Sequence, residues 1–197
     1  RGRVFRLETT TGTLTQIGQA FSSNTGDIAG GFPIAMASFM GQLFVSLGAT
    51  DNATTGKIYR IRPSIETAWT ADSTTIVDWG FSMAVFQGNL YIGCMDDLGV
   101  DALILRRTPA GVYSTVDTQT STDESDYYTG LTVYSGALYA HYYGVANGPW
   151  NIRRSTDGTT WATDLDLNAT FTITTKQTGG TLVHNGDLYW VLISGSS

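Results

Sequence analysis

With a single cysteine, Cys94, the chain of 197 residues can form no internal disulfide and no cysteine-based metal site. Histidine is almost as scarce, and His141 and His184 share no ligand spacing. Only two lysines occur, Lys57 and Lys176, and the net charge is −6 with a pI near 4.6. That balance argues against nucleic acid, because phosphate binding needs clustered Lys and Arg to displace counterions. Charged residues make up 14% of the chain, so Thr, Ser, Asn and Gly must carry much of its solvation. No apolar run approaches the roughly 20 residues of a membrane-spanning helix. The start, Arg1-Gly2-Arg3-Val4, has neither an initiator Met nor a signal-peptide core, and reads as a chain cut from something longer or processed. Gly48 through Gly56-Lys57 has the wrong spacing for a phosphate loop, and Ile58 stands where Ser or Thr is required. No cofactor and no metal is therefore expected.

What the chain does have is a repeat. Gly-x-Leu-aromatic occurs at Gly41-Gln42-Leu43-Phe44, Gly88-Asn89-Leu90-Tyr91, Gly136-Ala137-Leu138-Tyr139 and Gly186-Asp187-Leu188-Tyr189, at spacings of 47, 48 and 50 residues. A period this regular across the chain marks a repeat architecture. Each glycine is the second residue of a two-residue hairpin (Met40-Gly41, Gln87-Gly88, Ser135-Gly136, Asn185-Gly186), where a type I′ turn requires positive φ.

One repeat, read from Gly80, predicts four antiparallel strands. Ser82–Phe86 and Leu90–Ile92 flank the hairpin, Ala102–Arg107 follows an acidic loop, and Val112–Asp117 follows the turn at Pro109-Ala110-Gly111. The inner strands are apolar on both faces and so need a layer on each side. With no helical period in the chain, those layers must be other sheets. Four-stranded sheets packed face to face around an axis are the blades of a β-propeller. The expected fold is all-β, a propeller of four blade-equivalents of four antiparallel strands each. It forms one domain over residues 1–197, with blades near 33–79, 80–121 and 126–175.

The fourth blade is expected to be split, from residues 1–22 and 180–194. The chain opens with outer strands, Val4–Leu7 and Thr13–Phe21, and closes with inner ones, Thr181–His184 and Leu188–Ile193. Pairing Leu188–Ile193 with Val4–Leu7 would cover an apolar edge that is otherwise an aggregation site. A closed ring, a slice of a larger ring, and a dimer of eight blades all fit this pattern.

Arg154-Ser155-Thr156-Asp157-Gly158-Thr159-Thr160-Trp161 resembles the Asp-box hairpin of sialidase-like and other bacterial and viral propellers, one residue shorter between Asp and Trp. The Gly-x-Leu-Tyr hairpin resembles kelch-like repeats. The resemblance implies that Ser155, Asp157, Gly158 and Trp161 build a structural turn between third and fourth strands, away from the usual ligand face. A sialidase also needs an arginine triad at the axis. Here Arg6, Arg60, Arg106 and Arg153 fall on third strands, towards the outside of each blade, and read as a girdle pairing with Asp and Thr.

The loops on the opposite face carry acidic and aromatic residues together. Asp96, Asp97, Tyr142, Tyr143 and Trp150 are the expected ligand contacts, by sugar stacking and hydrogen bonding. No repeating Asp-x-Asp-x-Asp-Gly loop is present to hold calcium. The favoured expectation is a non-catalytic structural or recognition module with no catalytic residues. Its place would be extracellular or on a virion surface, and its partners a glycan or protein receptor, a second copy, or further blades. The alternative is a fragment of a sialidase-like glycoside hydrolase.

Overall fold

The computed structural model describes residues 2–21, 32–48, 56–77, 79–95, 101–120, 126–144, 150–170 and 176–194. A hairpin, β1 (Gly2–Glu8) and β2 (Thr13–Phe21), comes first. Three antiparallel four-stranded meanders follow. The first is β3 (Phe32–Phe39), β4 (Gln42–Gly48), β5 (Gly56–Ile61) and β6 (Thr70–Val77). The second is β7 (Trp79–Phe86), β8 (Asn89–Met95), β9 (Asp101–Arg107) and β10 (Tyr113–Thr120). The third is β11 (Tyr127–Tyr134), β12 (Ala137–Tyr143), β13 (Asn151–Ser155) and β14 (Ala162–Asp166). A helical turn, α1 (Leu167–Thr170), leads to a last hairpin, β15 (Lys176–His184) and β16 (Asp187–Ser194).

The repeated dipeptides form the turns that the sequence predicts. Met40, Gln87, Ser135 and Asn185 have φ of 45–51°, and the glycines after them 70–85°. Positive φ at both central residues is the type I′ geometry, whose twist matches that of the flanking strands. Three of the four first positions are neither Asn nor Gly, so they hold the left-handed conformation at some cost.

Alternation along each strand then decides which side chain meets which neighbour. On β8, Leu90, Ile92 and Cys94 pack with Phe39, Phe44 and Ile58 of the first meander. Tyr91, between them, packs with Tyr128, Leu138 and Tyr142 of the third. Val4, Ile17 and Phe21 of the first hairpin cover Val45, Leu47, Tyr59, Ile61 and Trp69. Trp190 of the last hairpin packs at Tyr143, Trp150 and Ile152. Four apolar interfaces thus stack the sheets face to face. Ile92 and Leu90 are wholly buried, each contributing about 2 kcal/mol.

Buried ion pairs fix the meanders to one another. Asp72 on β6 accepts from Arg60 Nε of its own meander at 2.9 Å, from Arg107 Nε and Nη2 of the next, and from the Tyr113 hydroxyl at 2.7 Å. Burial alone would raise the Asp72 carboxyl, but the bonds from Arg107 and Tyr113 and the charges of Arg107 and Arg60 hold it below the usual carboxylate value. Asp117 on β10 repeats the arrangement, accepting from Arg153 Nη2 at 2.9 Å and from the Tyr128 hydroxyl.

Two expectations need correction. The strand register aligns Arg154, not Arg153, with Arg60 and Arg106. Each lies opposite the repeat aromatic, in the pairs Phe44↔Arg60, Tyr91↔Arg106 and Tyr139↔Arg154. The girdle therefore does not use equivalent positions; Arg107 and Arg153 make the contacts between meanders. The terminal hairpins also do not share a sheet: β1–β2 and β15–β16 are separate two-stranded sheets. Each is held at its own end of the stack. Trp69 donates its indole N–H to Ile17 O at 3.1 Å, and its amide to Gln19 Oε1 at 2.9 Å. At the other end Thr181 bonds Thr132, and the Tyr134 hydroxyl donates to Gly186 O.

Candidate functional site

The feature with the chemistry of a binding surface is a run of stacked aromatic rings at one end of the inner strands. Trp79 and Phe81 open β7, Tyr127 opens β11, Tyr143 ends β12 and Trp150 precedes β13. Successive ring centroids lie 5.9, 4.4, 4.7 and 6.1 Å apart, with interplanar angles of 14–30° for the first three pairs and 12° for the last. Antiparallel register creates the middle of the run by placing Tyr127 opposite Tyr143. Stacking between meanders extends it from Tyr127 to Phe81.

Glycine makes the close approach possible. Gly48 is the one residue of β4 that pairs with β7, opposite Trp79, and a Cβ there would lie 2.8 Å from the Trp79 ring. Ser46 Oγ donates to Gly80 O at 2.6 Å beside it. Trp79, Phe81 and Tyr127 remain half-buried, whereas Tyr143 and Trp150 are buried. Burial and the neighbouring Tyr143 push the Tyr127 phenol up to about 12.

Beneath the strip lies a polar layer on the other face of the same strands. Tyr128 is paired with Tyr142, and their hydroxyls donate to Asp117 and Asp126 respectively. Asp126 is fully buried and Asp101, at the start of β9, is half-buried. The Tyr142 phenol is raised by burial, then by Asp126, and also by the charge of Asp101, which puts both carboxylates within electrostatic reach of one hydroxyl. Among the described residues no group of three His, Cys, Asp or Glu could hold a metal ion.

The sequence-derived site residues are thus divided. Asp96 and Asp97 lie outside the described residues. Tyr142 is 1% exposed and belongs to the core between the second and third meanders, so it is no loop contact. Tyr143 and Trp150 do stack with each other, but as the enclosed end of the strip. Its open members, Trp79, Phe81 and Tyr127, were missed. The signal that could have found them is an aromatic near the start of a first strand, directly after the preceding loop.

Ser155, Asp157, Gly158 and Trp161 stand at the far end of β13 from Trp150. Asp157 Oδ1 accepts from the amides of Thr159 at 2.7 Å and Thr160 at 2.6 Å, and Gly158 N–H donates to Ser155 Oγ at 2.8 Å. Those bonds, Thr160 first, hold the Asp157 carboxyl far below the usual range. Gly158 has φ of 73°, and a Cβ on it would meet the Tyr91 hydroxyl at 1.9 Å, so the turn sits directly on the second meander. Trp161 is half-buried and packs against the core between the second and third meanders.

No protein-family model matches the chain, and no curated protein sequence does. Solved structures do match. An exo-β-1,3-galactanase from Phanerochaete chrysosporium, bound to galactose, superposes with a TM-score of 0.53 at 12% identity, over 91% of this chain and 47% of that one. A variant of it with β-1,3-galactotriose gives 0.51 at 11%, over 90% and 46%. A family 117 glycoside hydrolase from the marine bacterium Zobellia galactanivorans gives 0.46 at 8%, over 78% and 51%. The chain spans about half the length of these structures. The fold shared with the galactanase is all-β and of the propeller type. No family model supports the narrower sialidase-like or kelch-like resemblance. The expectation that the chain is no enzyme is contradicted here, because the galactanase whose fold it shares is a glycoside hydrolase.

Proposed function

We propose that the chain is a section of a propeller-type glycoside hydrolase, its three meanders and two hairpins making four blade-equivalents. The observation that carries this reading is the aromatic strip at Trp79, Phe81 and Tyr127, together with two carboxylates, Asp126 and Asp101, within electrostatic reach of the Tyr142 hydroxyl. Sugar rings present apolar C–H faces that stack on aromatic side chains, and binding sites combine such surfaces with a few placed polar groups. Glycosidic bonds are cleaved by paired carboxyl groups, one of which handles a proton at the leaving oxygen. In this reading Asp101, half-buried where Asp126 is fully enclosed, is the carboxylate that meets the bound sugar. Asp126 is enclosed, and its bond from Tyr142 makes it a positioning residue. The substrate class is a neutral oligosaccharide, with β-linked galactans as the first to try, because the galactanase resembled binds them.

The test is direct: incubate the chain with β-1,3-galactan oligosaccharides and a panel of neutral glycans, following tryptophan fluorescence for binding and reducing ends for cleavage. Binding should weaken about tenfold in Trp79→Ala, near the 1.4 kcal/mol expected of one lost stacking contact. Asp101→Asn should bind but release no product. If no glycan in the panel changes the fluorescence or is cleaved, the reading fails.

A further inference from the structure

The four type I′ turns share a shape but not a chemistry. Their first central residues are Met40, Gln87, Ser135 and Asn185, each followed by glycine. The Met and Ser side chains carry no carbonyl, and that of Gln87 lies one methylene too far along its side chain. Of the four, Asn185 has its side-chain carbonyl carbon where the next backbone nitrogen closes a five-membered ring on it. That nitrogen belongs to Gly186, which has no side chain to shield it. Asn147-Gly148 is the other such dipeptide of the chain and lies outside the described residues.

The turn leaves both reacting groups open. The ladder closes on the pair His184↔Asp187, so Asn185 and Gly186 lie beyond it. The exposed Asn185 side chain makes no hydrogen bond to any described residue, and a Cβ added to Gly186 would meet nothing within 4 Å. Gly41, Gly88 and Gly136 have equally open surroundings, although each of their meanders is packed between two neighbours. The openness is thus a property of this turn type and not of its place in the chain. Asp157-Gly158 shows the opposite arrangement. There the Asp157 carboxyl accepts from the Thr159 and Thr160 amides, and the Gly158 N–H donates to Ser155 Oγ, so both reacting groups are held.

One contact restrains Gly186. The Tyr134 hydroxyl of β11 donates to Gly186 O at 2.7 Å and ties the turn to the third meander. Ring closure requires the Asn185–Gly186 peptide to swing towards the side chain, a local opening that this bond resists. We propose that Asn185 is a site of spontaneous backbone modification, restrained by Tyr134. The Gly186 nitrogen attacks the Asn185 side-chain carbonyl carbon; a C–N bond forms, the bond to Nδ2 breaks, and ammonia leaves with the amide proton. Water then opens the cyclic imide. Opening at the side-chain carbonyl leaves aspartate. Opening at the main-chain carbonyl leaves isoaspartate, whose backbone is one methylene longer. Either product adds a negative charge close to Asp187. The longer one also alters a two-residue turn whose geometry sets the strand register. It therefore loosens the hairpin that seats Trp190 against Tyr143, Trp150 and Ile152. None of this depends on the chain being a hydrolase.

The test is prolonged incubation of the whole chain in mildly alkaline buffer, then digestion and mass spectrometry, with enzymatic methylation to mark isoaspartate. Isoaspartate should appear at Asn185 and not at Asp157. Tyr134→Phe keeps the ring and removes the hydroxyl, so it should fold, as circular dichroism checks, and react about fivefold faster at Asn185, the effect of releasing one ordinary hydrogen bond. Backbone hydrogen exchange in β15 and β16 should quicken in the incubated wild type. It should not do so in Asn185→Ser, which carries the residue found at the same turn position in the third meander. An unmodified Asn185, under conditions that modify the urea-unfolded chain, would overturn the proposal. Equal rates in the wild type and Tyr134→Phe would do the same, as would a modified hairpin whose exchange is unchanged.

Discussion

His141 offers a sharp test of how tightly the third meander is packed. It lies on β12 with no solvent exposure, and burial pushes its imidazole down to about 4 from an ordinary 6.5. The folded state therefore binds the proton less readily than the unfolded chain, so the neutral form stabilises the fold. That stability is fully present above pH 6.5 and is lost as the pH falls toward 4. A tenfold difference in proton affinity between the folded and unfolded chains corresponds to about 1.36 kcal/mol. The full window is then worth about 3 kcal/mol, of which about 2 kcal/mol disappears between pH 7.5 and 5. Asp72 and Asp157, whose carboxyls are held below 3.8, change charge only under more acid conditions and leave this window clean. The assay is urea unfolding at intervals between pH 7.5 and 5, on the wild type, on His141→Gln and on His184→Gln as an exposed control. The wild type and the His184 variant should lose about 2 kcal/mol across the window, while His141→Gln should run nearly flat. If all three show the same slope, the imidazole is not held neutral by burial and the packing argument is wrong.

Two further outcomes follow from the clamps and the turns. Asp72→Asn leaves Arg107, 8% exposed at its side chain, buried without its carboxylate, and should cost about 3–5 kcal/mol in denaturant unfolding; a loss below about 1 kcal/mol would show that the clamp between meanders is dispensable. Met40 holds φ of 51° and is 61% exposed, so Met40→Asn relieves left-handed strain at little packing loss and should stabilise by ~1 kcal/mol, read as a raised melting temperature.

The parts of this fold visible in the sequence are those set by local rules. Positive φ at Gly41, Gly88, Gly136 and Gly186 is a property of four residues and their two neighbours, so the repeat places every inner hairpin. Double-sided apolar strands such as Leu90–Ile92 likewise announce sheets on both faces. The arginine register was misjudged for a different reason. Two adjacent arginines, Arg153 and Arg154, compete for the place, and the offset from the repeat aromatic is 16 residues for Phe44 and Arg60 but 15 for Tyr91 and Arg106 and for Tyr139 and Arg154. The offset of 15 shared with the second repeat already favours Arg154, and the backbone pairing Tyr139↔Arg154 settles it. The site was half-legible: Tyr143 and Trp150 belong to the strip, but composition could not say that they form its closed end. Tyr142, one residue away, points to the opposite face and into the core.

By itself, then, the sequence determined the strand count per repeat, the turn type and the sidedness of each strand, because these depend on φ, ψ and alternation within a few residues. Tertiary structure alone decided that Trp79, Phe81 and Tyr127 share one stack, that Asp72 and Asp117 reach arginines of the following meander, and that the two terminal hairpins stay apart. Each of those depends on how separately formed sheets are offset and rotated against one another. That arrangement is set largely by packing between residues far apart in the chain, 34 positions for Ser46 and Gly80 and 52 for Ile17 and Trp69, and no local pattern encodes it.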